Sequence, residues 1–378
     1  MRDILDRLLD WQRHGVACAL ATVVRTSGSA PRPIGTSMAV SADGEVLGSL
    51  SGGCVEGAVY ELAREAIAEG VTLGDAYGIA DGDAFAAGLT CGGEIEVQVR
   101  PLGPAEYAVL RELAALRDAG CPVALTVPLG DGASAGPDRD WFLATPDRLP
   151  GGPVGEAAGK ALSDGTARTG GADGSDPACT GAWAAYLVVP FVPPPRLLVY
   201  GATDFAGALS RIGRFLGYRV TVCDARPVFT TAERFPDADE VVVQWPHRHL
   251  ESIRGELDAR TAVCVLTHDP KFDVPLLVRA LRSPVGYVGA MGSRRTHADR
   301  LERLREAGLS MLELAALHSP IGLDLAGSSP EETALSIAAE IVAARRGGSG
   351  APLSALSAPI HAAAFEAPPV ATAVPAGS

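Results

Sequence analysis

The chain has 378 residues, of which 47% are hydrophobic and 20% charged, so it is long enough for two globular domains with separate cores. Acidic residues outnumber basic ones by 45 to 32, which gives a formal net charge of -13, and no dense basic run is present. Because this balance repels a phosphate backbone, nucleic acid is not an expected partner. No apolar stretch approaches the roughly 20 residues of a membrane span. The amphipathic start MRDILDRLLDWQRHG contains acids, unlike a signal sequence, and we expect a cytoplasmic protein.

The first part of the chain predicts a small α+β domain over residues 1–127. After the N-terminal helix, the segments CALATVVRT, TSMAVS and GEVLGSL are typical of short strands. A helix is expected from about Cys54 to Ala68, and GEIEVQVRPL predicts a further strand. From about 128 to 182, Gly, Ala, Asp and Ser dominate, so residues 128–192 are interpreted as a partly mobile connection with little core that completes this domain.

Three consecutive prolines, residues 193–195, precede a buried-type strand and place a domain boundary near residue 192. Beyond it, strand and helix patterns alternate, which predicts a parallel sheet covered by helices on both faces. We therefore expect a Rossmann-like, doubly wound domain over residues 193–347. The Ala/Pro-rich residues 348–378 are predicted to form a disordered tail.

The cysteines include no C-x-x-C pair, which argues against a structural zinc site. Cys18, Cys223 and Cys264 lie inside strand-like runs and are expected to be small buried residues. Cys54 differs, because it follows two glycines at the start of a helix, where a thiolate forms most easily. Cys91 also adjoins a glycine pair. A small buried residue remains the alternative interpretation for both.

Ligands of an open parallel sheet bind beyond the carboxyl ends of its strands, so the residues at those ends are candidates. They are Gly201, Asp224 with Arg226, His268 with Asp269, and Gly292, Ser293, Arg294 and Arg295.

Half of a dinucleotide-binding pattern is present at this edge. Asp224 ends the second strand at the distance expected of a ribose-binding acid. However, Thr203 replaces the second glycine of the pattern, and Asp204 adds negative charge where phosphates would lie. The pattern therefore leaves dinucleotide binding open.

The segment MGSRRTHADRLERL places Ser293 and two arginines at a helix start, a combination suited to an anion such as phosphate. The alternative is that Ser293 only caps the helix while Arg294 and Arg295 pair with surface acids. His268 is either a proton carrier or anion contact, or a structural residue.

Two further patterns are interpreted as structural. His247 and His249 lack a third metal ligand at usable spacing, so a solvated helix start is expected there. Ser329-Pro330-Glu331-Glu332 has the pattern of a capping box, with proline at the first helical position.

Several longer motifs, in order and spacing, resemble the XdhC/CoxI family of accessory factors for xanthine dehydrogenase and aerobic carbon monoxide dehydrogenase. They are GSAPRPIGTSM, GSLSGGCVEGAV, TCGGEIEVQVRPL, LTHDPKFDVPLL, YVGAMGSRRTHADRLERL and HSPIGLDLAGSSPEETALSIAAEI. The resemblance covers nearly all of residues 15–347. It implies an N-terminal XdhC/CoxI domain and a C-terminal Rossmann-like domain.

The resemblance also implies a function: binding molybdenum cofactor, protecting it during sulfuration, and delivering it to a molybdenum hydroxylase. We then expect a cofactor carrier and insertion chaperone rather than an enzyme, and a homodimer. Its partners would be the hydroxylase apo-enzyme and a sulfur-donating cysteine desulfurase. The cofactor would be molybdopterin in a mononucleotide or dinucleotide form.

Under this resemblance the candidate residues divide into two groups. Cys54 and Cys91 supply soft sulfur near the metal, with Cys54 the candidate molybdenum ligand, and the residues beside them offer backbone amides to pterin or oxo groups; these are Ser51, Gly52, Gly53, Gly92 and Gly93. The strand-end residues of the second domain would hold the phosphate or nucleotide. The alternative function is an NAD(P)-dependent oxidoreductase, in which Asp224 or Arg226 selects the ribose form and His268 donates a proton.

Overall fold

The computed structural model describes residues 1–28, 30, 32–78, 93–129, 140–170 and 186–357. Residue contacts divide the chain into two compact units. The first comprises Met1–Ala161, Thr166–Phe191 and Leu353–Ser378, and the second comprises Leu162–Gly165 and Val192–Pro352. The main chain thus passes from the first unit to the second directly before the three prolines.

The first unit contains a five-stranded antiparallel sheet in the order β3-β2-β1-β5-β4. Its strands are β1 (Cys18–Ser27), β2 (Ser37–Ser41), β3 (Val46–Gly48), β4 (Leu73–Tyr77) and β5 (Glu94–Pro101). Helix α2 (Glu56–Glu69) packs on this sheet through Val59, Ala63 and Ala66, which recur every three or four residues and so lie on one side of the helix. The strands and the helix predicted for this region are confirmed, whereas β4 was not predicted.

A second, four-stranded antiparallel sheet has the order β7-β6-β9-β8. Its strands are β6 (Val123–Pro128), β7 (Phe142–Ala144), β8 (Arg168–Gly170) and β9 (Tyr186–Phe191). The accompanying helices are α1 (Leu5–Arg13), α3 (Pro104–Asp118) and α4 (Gly152–Asp164).

The described parts of residues 128–192 contain β7, α4, β8 and β9, which the sequence interpretation of a connection with little core did not include. Trp141 is buried in one cluster with Leu8 of α1, Leu113 of α3 and Leu187 of β9. The interpretation was based on the average composition of the region, in which Gly and Ala dominate, so it did not detect these short strands and the helix. Residues 130–139 and 171–185 lie outside the described residues.

The second unit is built on a six-stranded parallel sheet in the order β12-β11-β10-β13-β14-β15, the strand order of dinucleotide-binding folds. The strands are β10 (Arg196–Tyr200), β11 (Arg219–Asp224), β12 (Glu240–Val243), β13 (Ala262–Val265), β14 (Tyr287–Ala290) and β15 (Leu317–His318). The order reverses between β10 and β13, so the two neighbouring strands run to loops that diverge.

Helices cover both faces of this sheet. They are α5 (Asp204–Phe215), α6 (Pro246–Ser252), α7 (Pro270–Ala280), α8 (Arg294–Glu306), α9 (Met311–Ala315) and α10 (Pro330–Arg346). Along β10, Leu197 packs with residues of α5 and α10, while Leu198 packs with residues of α6 to α9, as the alternation of a strand requires. The predicted fold class, a small α+β domain followed by a Rossmann-like doubly wound domain, is confirmed.

The end of the described chain follows the predicted pattern of caps. The Ser329 hydroxyl accepts the amide of Glu332, whose carboxylate accepts the amide of Ser329, and α10 ends at Gly347 in the left-handed conformation. The expected capping box is thus confirmed. Short 3-10 turns occupy Arg2–Ile4, Arg254–Glu256 and Leu353–Ala355.

Residues 358–378 of the predicted tail lie outside the described residues. In the described chain, none of the helices combines the length and the apolar character needed to cross a membrane.

Candidate functional site

In the first unit, the loop between β3 and α2 closes around the carboxylate of Glu56, the first residue of α2. Its Oε1 atom accepts hydrogen bonds from the Ser49 hydroxyl (2.7 Å) and from the amides of Leu50 (3.1 Å), Ser51 (2.9 Å) and Gly52 (3.0 Å). Its Oε2 atom accepts from the Ser51 hydroxyl (2.6 Å) and from the amides of Gly53 (2.8 Å) and Val55 (3.2 Å). One carboxylate therefore accepts hydrogen bonds from most of the donors in the loop.

This environment keeps Glu56 ionised. Burial alone would raise the pKa of Glu56, but the Ser51 hydroxyl and amide, together with the Ser49 hydroxyl, outweigh burial and hold the pKa well below its ordinary value of 4.5. The sequence prediction did not identify this residue. The available signal was an acid in the first turn of a helix that follows a Ser/Gly-rich loop.

The glycine pair of the loop is required by backbone conformation. Gly52 has φ 87° and Gly53 has φ 122°, values that residues with a side chain rarely adopt. A Cβ atom added at either position would meet no heavy atom within 4 Å, so space does not decide the choice. From the sequence, we predicted that the amides of Gly52 and Gly53 bind pterin or oxo groups of a cofactor. In the structure both already donate to Glu56.

Cys54 lies between two of the anchored amides, those of Gly53 and Val55, and its own amide donates to the Ser51 hydroxyl at 2.9 Å. Its side chain is half-buried and packs at the edge of the core between α2 and the five-stranded sheet. The structure thus brings Ser51, Gly52, Gly53 and Cys54 into one loop that is held by hydrogen bonds to Glu56 and Ser51.

Cys91 is the second cysteine that the sequence places beside a glycine pair. Cys91 and Gly92 lie outside the described residues, and Gly93 is buried directly before β5. Their predicted role remains a prediction.

In the second unit, Gly201 marks the closest approach between the ends of β10 and β13. It has φ 117°, and a Cβ atom there would lie 2.7 Å from Thr267 Cγ2 and 3.1 Å from the carbonyl carbon of Leu266. Both the conformation and the lack of space require glycine. The neighbouring strand ends also carry Asp224, His268 and Gly292, as the parallel topology predicts.

Asp224 is buried and fully engaged by its own chain. Its Oδ1 atom accepts from the amide and Nε of Arg226, both at 2.9 Å, and its Oδ2 atom accepts from Arg226 Nη2 at 2.7 Å and from the Ala202 amide at 2.9 Å. Burial raises the pKa of Asp224, but the bonds from Arg226 and Ala202 outweigh it and lower the pKa overall. About four lone-pair directions exist on a carboxylate, and all are used here, so the geometry argues against Asp224 as an acceptor for ribose.

A cleft of about 440 Å³ opens beside this pair, lined by Ala202, Thr203, Asp204, Phe205, Arg226, Phe229, Arg234 and Pro330. The guanidinium of Arg226 lies 5.0 Å from the ring centroid of Phe229, and that of Arg234 lies 5.8 Å from it. The Thr203 hydroxyl caps α5 by accepting the Ala206 amide at 3.4 Å. The Asp204 Oδ1 atom lies 3.4 Å from Arg234 Nη2. The cleft therefore offers cationic and aromatic groups beside a helix start that carries an acid.

His268 follows β13 and is exposed. Its neighbour Asp269 caps α7 by accepting the Lys271 amide at 3.1 Å and forms an ion pair with the Lys271 ammonium at 2.9 Å. Asp224, and more weakly Asp269, raise the pKa of Arg226. The charged groups after β11 and β13 therefore act on one another across the rim of the sheet.

The segment after β14 matches the predicted helix start. The Ser293 hydroxyl accepts the Thr296 amide at 3.1 Å, and Gly292 has φ 153°. Arg294 and Arg295 are exposed, and neither forms an ion pair with an acid in the part of the chain that the structure describes. The cap is confirmed, and the alternative in which these arginines pair with surface acids is not observed among those residues.

The sequence prediction missed a buried ion pair beneath this rim. Arg300 Nη2 contacts Asp273 Oδ2 at 3.2 Å and donates to the Met291 carbonyl at 2.7 Å, while Nη1 donates to the Ser319 hydroxyl at 3.0 Å. The Thr267 hydroxyl donates to Asp273. Both charged side chains are 4% exposed. A signal was present, since Arg300 lies one turn before the buried Leu304 of α8.

The histidine pair of α6 is not the solvated helix start that was predicted. His249 is buried, and its Nδ1 forms a hydrogen bond with the Tyr200 hydroxyl at 3.1 Å, because α6 turns this side chain toward β10. Burial lowers the pKa of His249. Across the described ranges, no group of three or more His, Cys, Asp or Glu side chains is placed to hold a metal ion.

The three strand cysteines are buried as predicted. Burial raises the pKa of Cys223 to about 12 and raises the pKa of Cys18 and of Cys264 as well. These thiols are therefore poor nucleophiles, which leaves Cys54 as the half-buried thiol of interest in the described part of the first unit, beside the exposed Cys121.

Comparison with known proteins covers both units. The family described as XdhC and CoxI matches residues 11–74, and the one described as XdhC Rossmann domain matches residues 197–341. The chain is 28% identical over 348 residues to the molybdenum cofactor insertion chaperone PaoD of Escherichia coli (strain K12), covering 91% of this chain and 88% of the relative. It is 26% identical over 354 residues to a probable xanthine dehydrogenase subunit of Bacillus subtilis (strain 168), covering 91% of this chain and 97% of that relative.

A crystal structure described as a xanthine dehydrogenase from Bacillus halodurans shares the fold, with a TM-score of 0.62 and 23% identity over 91% of this chain and 96% of that one. The family matches fall on the two regions that carry the Cys54 loop and the Asp224 rim, in the order found in the sequence. The chain therefore belongs to the XdhC/CoxI family.

Proposed function

We propose that this chain binds molybdenum cofactor as cargo and delivers it to a molybdenum hydroxylase of the xanthine dehydrogenase type. The observation that carries the proposal is the preformed loop that presents Cys54. A half-buried thiol stands there on a backbone already fixed by hydrogen bonds, in a chain similar over 91% of its length to a protein named as an insertion chaperone. A thiolate is a soft donor, and molybdenum in this cofactor is already held by the two sulfur atoms of a dithiolene.

The second unit carries a separate group of residues suited to the anionic part of the cofactor. Molybdenum cofactor carries a phosphate, or a nucleotide in its dinucleotide form, and both present anionic oxygens. Arg294 and Arg295 are exposed at the start of α8, where helix amides and guanidinium groups favour an anion. We propose that these two residues, with Ser293, contact the phosphate. Both the mononucleotide and the dinucleotide form fit this proposal.

Further parts of the proposal concern partners. We propose that the bound cofactor is protected while a cysteine desulfurase supplies sulfur, and that the apo-hydroxylase then receives it. We also propose that the chain acts as a homodimer in the cytoplasm, without turnover of its own. The support for these parts is the family membership and the similarity to the named chaperone.

An NAD(P)-dependent oxidoreductase receives less support from the geometry. Asp224 has no acceptor direction left for a ribose hydroxyl, and the Thr203 side chain with Asp204 occupies the helix start where a pyrophosphate would lie.

The test uses the full chain purified from a host that makes the cofactor. We expect bound molybdenum by elemental analysis, and a rise in activity when this protein and a sulfur donor are added to a cofactor-free molybdenum hydroxylase. We expect no steady reduction of NAD or NADP with hydroxy acids, aldehydes or purines. Steady reduction of either nucleotide, or cofactor transfer equal to that of an unrelated protein, would contradict the proposal.

A further inference from the structure

We propose that Glu56 is a positioning residue for Cys54. Its carboxylate holds the loop from Ser49 to Val55 in the conformation that sets where the thiol stands. The inference rests on the proposed function for its biological meaning, but the geometry that supports it does not depend on any cargo.

The backbone on each side of Cys54 is hydrogen-bonded to Glu56. The preceding amide, of Gly53, and the following one, of Val55, both donate to the same atom, Glu56 Oε2, at 2.8 and 3.2 Å. The amide of Cys54 donates to the Ser51 hydroxyl, which itself donates to that oxygen at 2.6 Å. Three successive amides are thus held by one carboxylate oxygen, directly or through one hydroxyl.

Only a carboxylate of this length satisfies the loop. Every group that contacts the Glu56 side chain is a donor, either an amide or a serine hydroxyl. A glutamine would place its own amide hydrogens against three or more of these donors. An aspartate keeps the charge but is one methylene shorter, so its two oxygens would not reach both halves of the loop.

A simple helix cap does not explain the arrangement. A cap accepts one or two amides from the first turn of its own helix. Besides its own amide, Glu56 accepts the amides of Leu50, Ser51, Gly52, Gly53 and Val55, all of which precede α2. The two positive-φ glycines allow this reversal of direction, in which the chain before the helix folds over a side chain inside it. The contacts therefore stabilise the loop rather than the helix.

The test compares Glu56→Gln and Glu56→Asp with Glu61→Gln, which alters an exposed glutamate on the same helix. The rate of alkylation of Cys54 by iodoacetamide is measured at one pH by peptide mass analysis. Cys121, an exposed thiol of the same unit, is the reference within each molecule. We expect Cys54 to react roughly tenfold faster in Glu56→Gln, because several hydrogen bonds that hold the loop are lost. Glu61→Gln and the Cys121 rate should match the unchanged protein.

Chemical rescue separates positioning from a general loss of structure. Acetate is added to Glu56→Ala, in which the loop donors face a space left by the missing carboxylate. We expect acetate to return the Cys54 rate toward that of the unchanged protein, with no effect on the Cys121 rate. A protein damaged elsewhere would not respond to acetate.

Two results would overturn the inference: an unchanged Cys54 rate in a folded Glu56→Gln protein, or a raised rate that acetate does not reverse in Glu56→Ala. If Glu56→Gln does not fold, Glu56→Asp decides, since it keeps the charge and should still raise the Cys54 rate. A raised and acetate-reversible rate with unchanged molybdenum content supports the positioning role and contradicts the cargo role proposed for Cys54. The two proposals therefore fail in distinguishable ways.

Discussion

The carboxylate of Asp224 is bound by the backbone amide, Nε and Nη2 of Arg226, only two residues away, at 2.9, 2.9 and 2.7 Å. This closed pair shapes the turn after β11 and, through the Ala202 amide, ties it to the turn after β10. Asp224 is therefore a residue that holds the rim in shape, and the cationic face of Arg226 remains turned toward the cleft.

Replacing Asp224 by Asn should destabilise the second unit. The substitution removes the charge and one of the two acceptor oxygens that the half-exposed Arg226 guanidinium and the buried Ala202 amide share. We expect a loss of about 1–3 kcal/mol in the free energy of unfolding, measured by urea denaturation. The exposed Asp324→Asn is the matched control and should change stability by less than about 0.5 kcal/mol. Equal stability of the two variants would show that the pair contributes nothing.

The contribution of Asp224 should also depend on pH. Its pKa in the folded chain is lowered below the ordinary value of 3.8, so the unfolded chain binds more protons in the interval between the two values. Stability from this group is therefore present above about pH 4 and is lost as the pH falls through the lowered value. The difference in unfolding free energy between the unchanged protein and Asp224→Asn should shrink under acid. A difference that grows on acidification would contradict this sign.

Gly201→Ala tests the close approach of β10 and β13. The new Cβ would lie 2.7 Å from Thr267 Cγ2 and would also have to adopt φ 117°. We expect a loss of about 2–4 kcal/mol, from crowding and from the unfavourable conformation together. Gly217→Ala is the control, since φ 79° there is also positive, although closer to the left-handed helical region, and no atom lies within 4 Å. It should cost about 1 kcal/mol. Thermal unfolding of both variants checks the difference.

The double variant Arg294→Ala/Arg295→Ala should leave folding intact and weaken cargo retention. Both side chains are exposed and form no ion pair with a described acid, so the melting temperature should hold. Molybdenum retained through gel filtration should fall, and what remains should depend less on salt, because charge-assisted contacts are removed. A melting temperature that collapses together with retention would show that the arginines are structural.

Cys54→Ser should lower bound molybdenum while the circular dichroism spectrum stays the same. A hydroxyl fills nearly the same space but is a hard donor that does not ionise at neutral pH. Cys121→Ser alters an exposed thiol away from the loop and should retain full molybdenum content. Unchanged molybdenum in a folded Cys54→Ser protein would exclude the thiol as a required ligand.

The alternation of strands and helices after residue 196 was enough to predict the parallel sheet, because period and order are properties of the chain itself. The direction of a side chain is not. Asp224 stands where a ribose-binding acid is expected, yet its oxygens are taken up by Arg226, a contact that depends on side-chain conformation in the folded turn. His249 likewise looked solvated in sequence and is buried by the docking of α6.

The loop at Cys54 shows the same limit at shorter range. The pattern SGGC identified a thiol at a helix start, but the carboxylate that organises it lies two residues later and acts backwards along the chain. For the chain before α2 to fold back over the Glu56 side chain, Gly52 and Gly53 must adopt positive φ values. A glycine in the sequence allows a positive φ but does not show that the residue adopts one.

Arg300 makes the loops after β13, β14 and β15 mechanically interdependent. Its guanidinium contacts Asp273 of α7, the Met291 carbonyl after β14 and the Ser319 hydroxyl after β15. Asp273 in turn accepts a hydrogen bond from Thr267 in the loop after β13. A shift of one of these loops alone would break a hydrogen bond to the buried Arg300 or Asp273 side chain. We therefore expect that, when an anion binds at Arg294, the loops after β13, β14 and β15 move together or not at all.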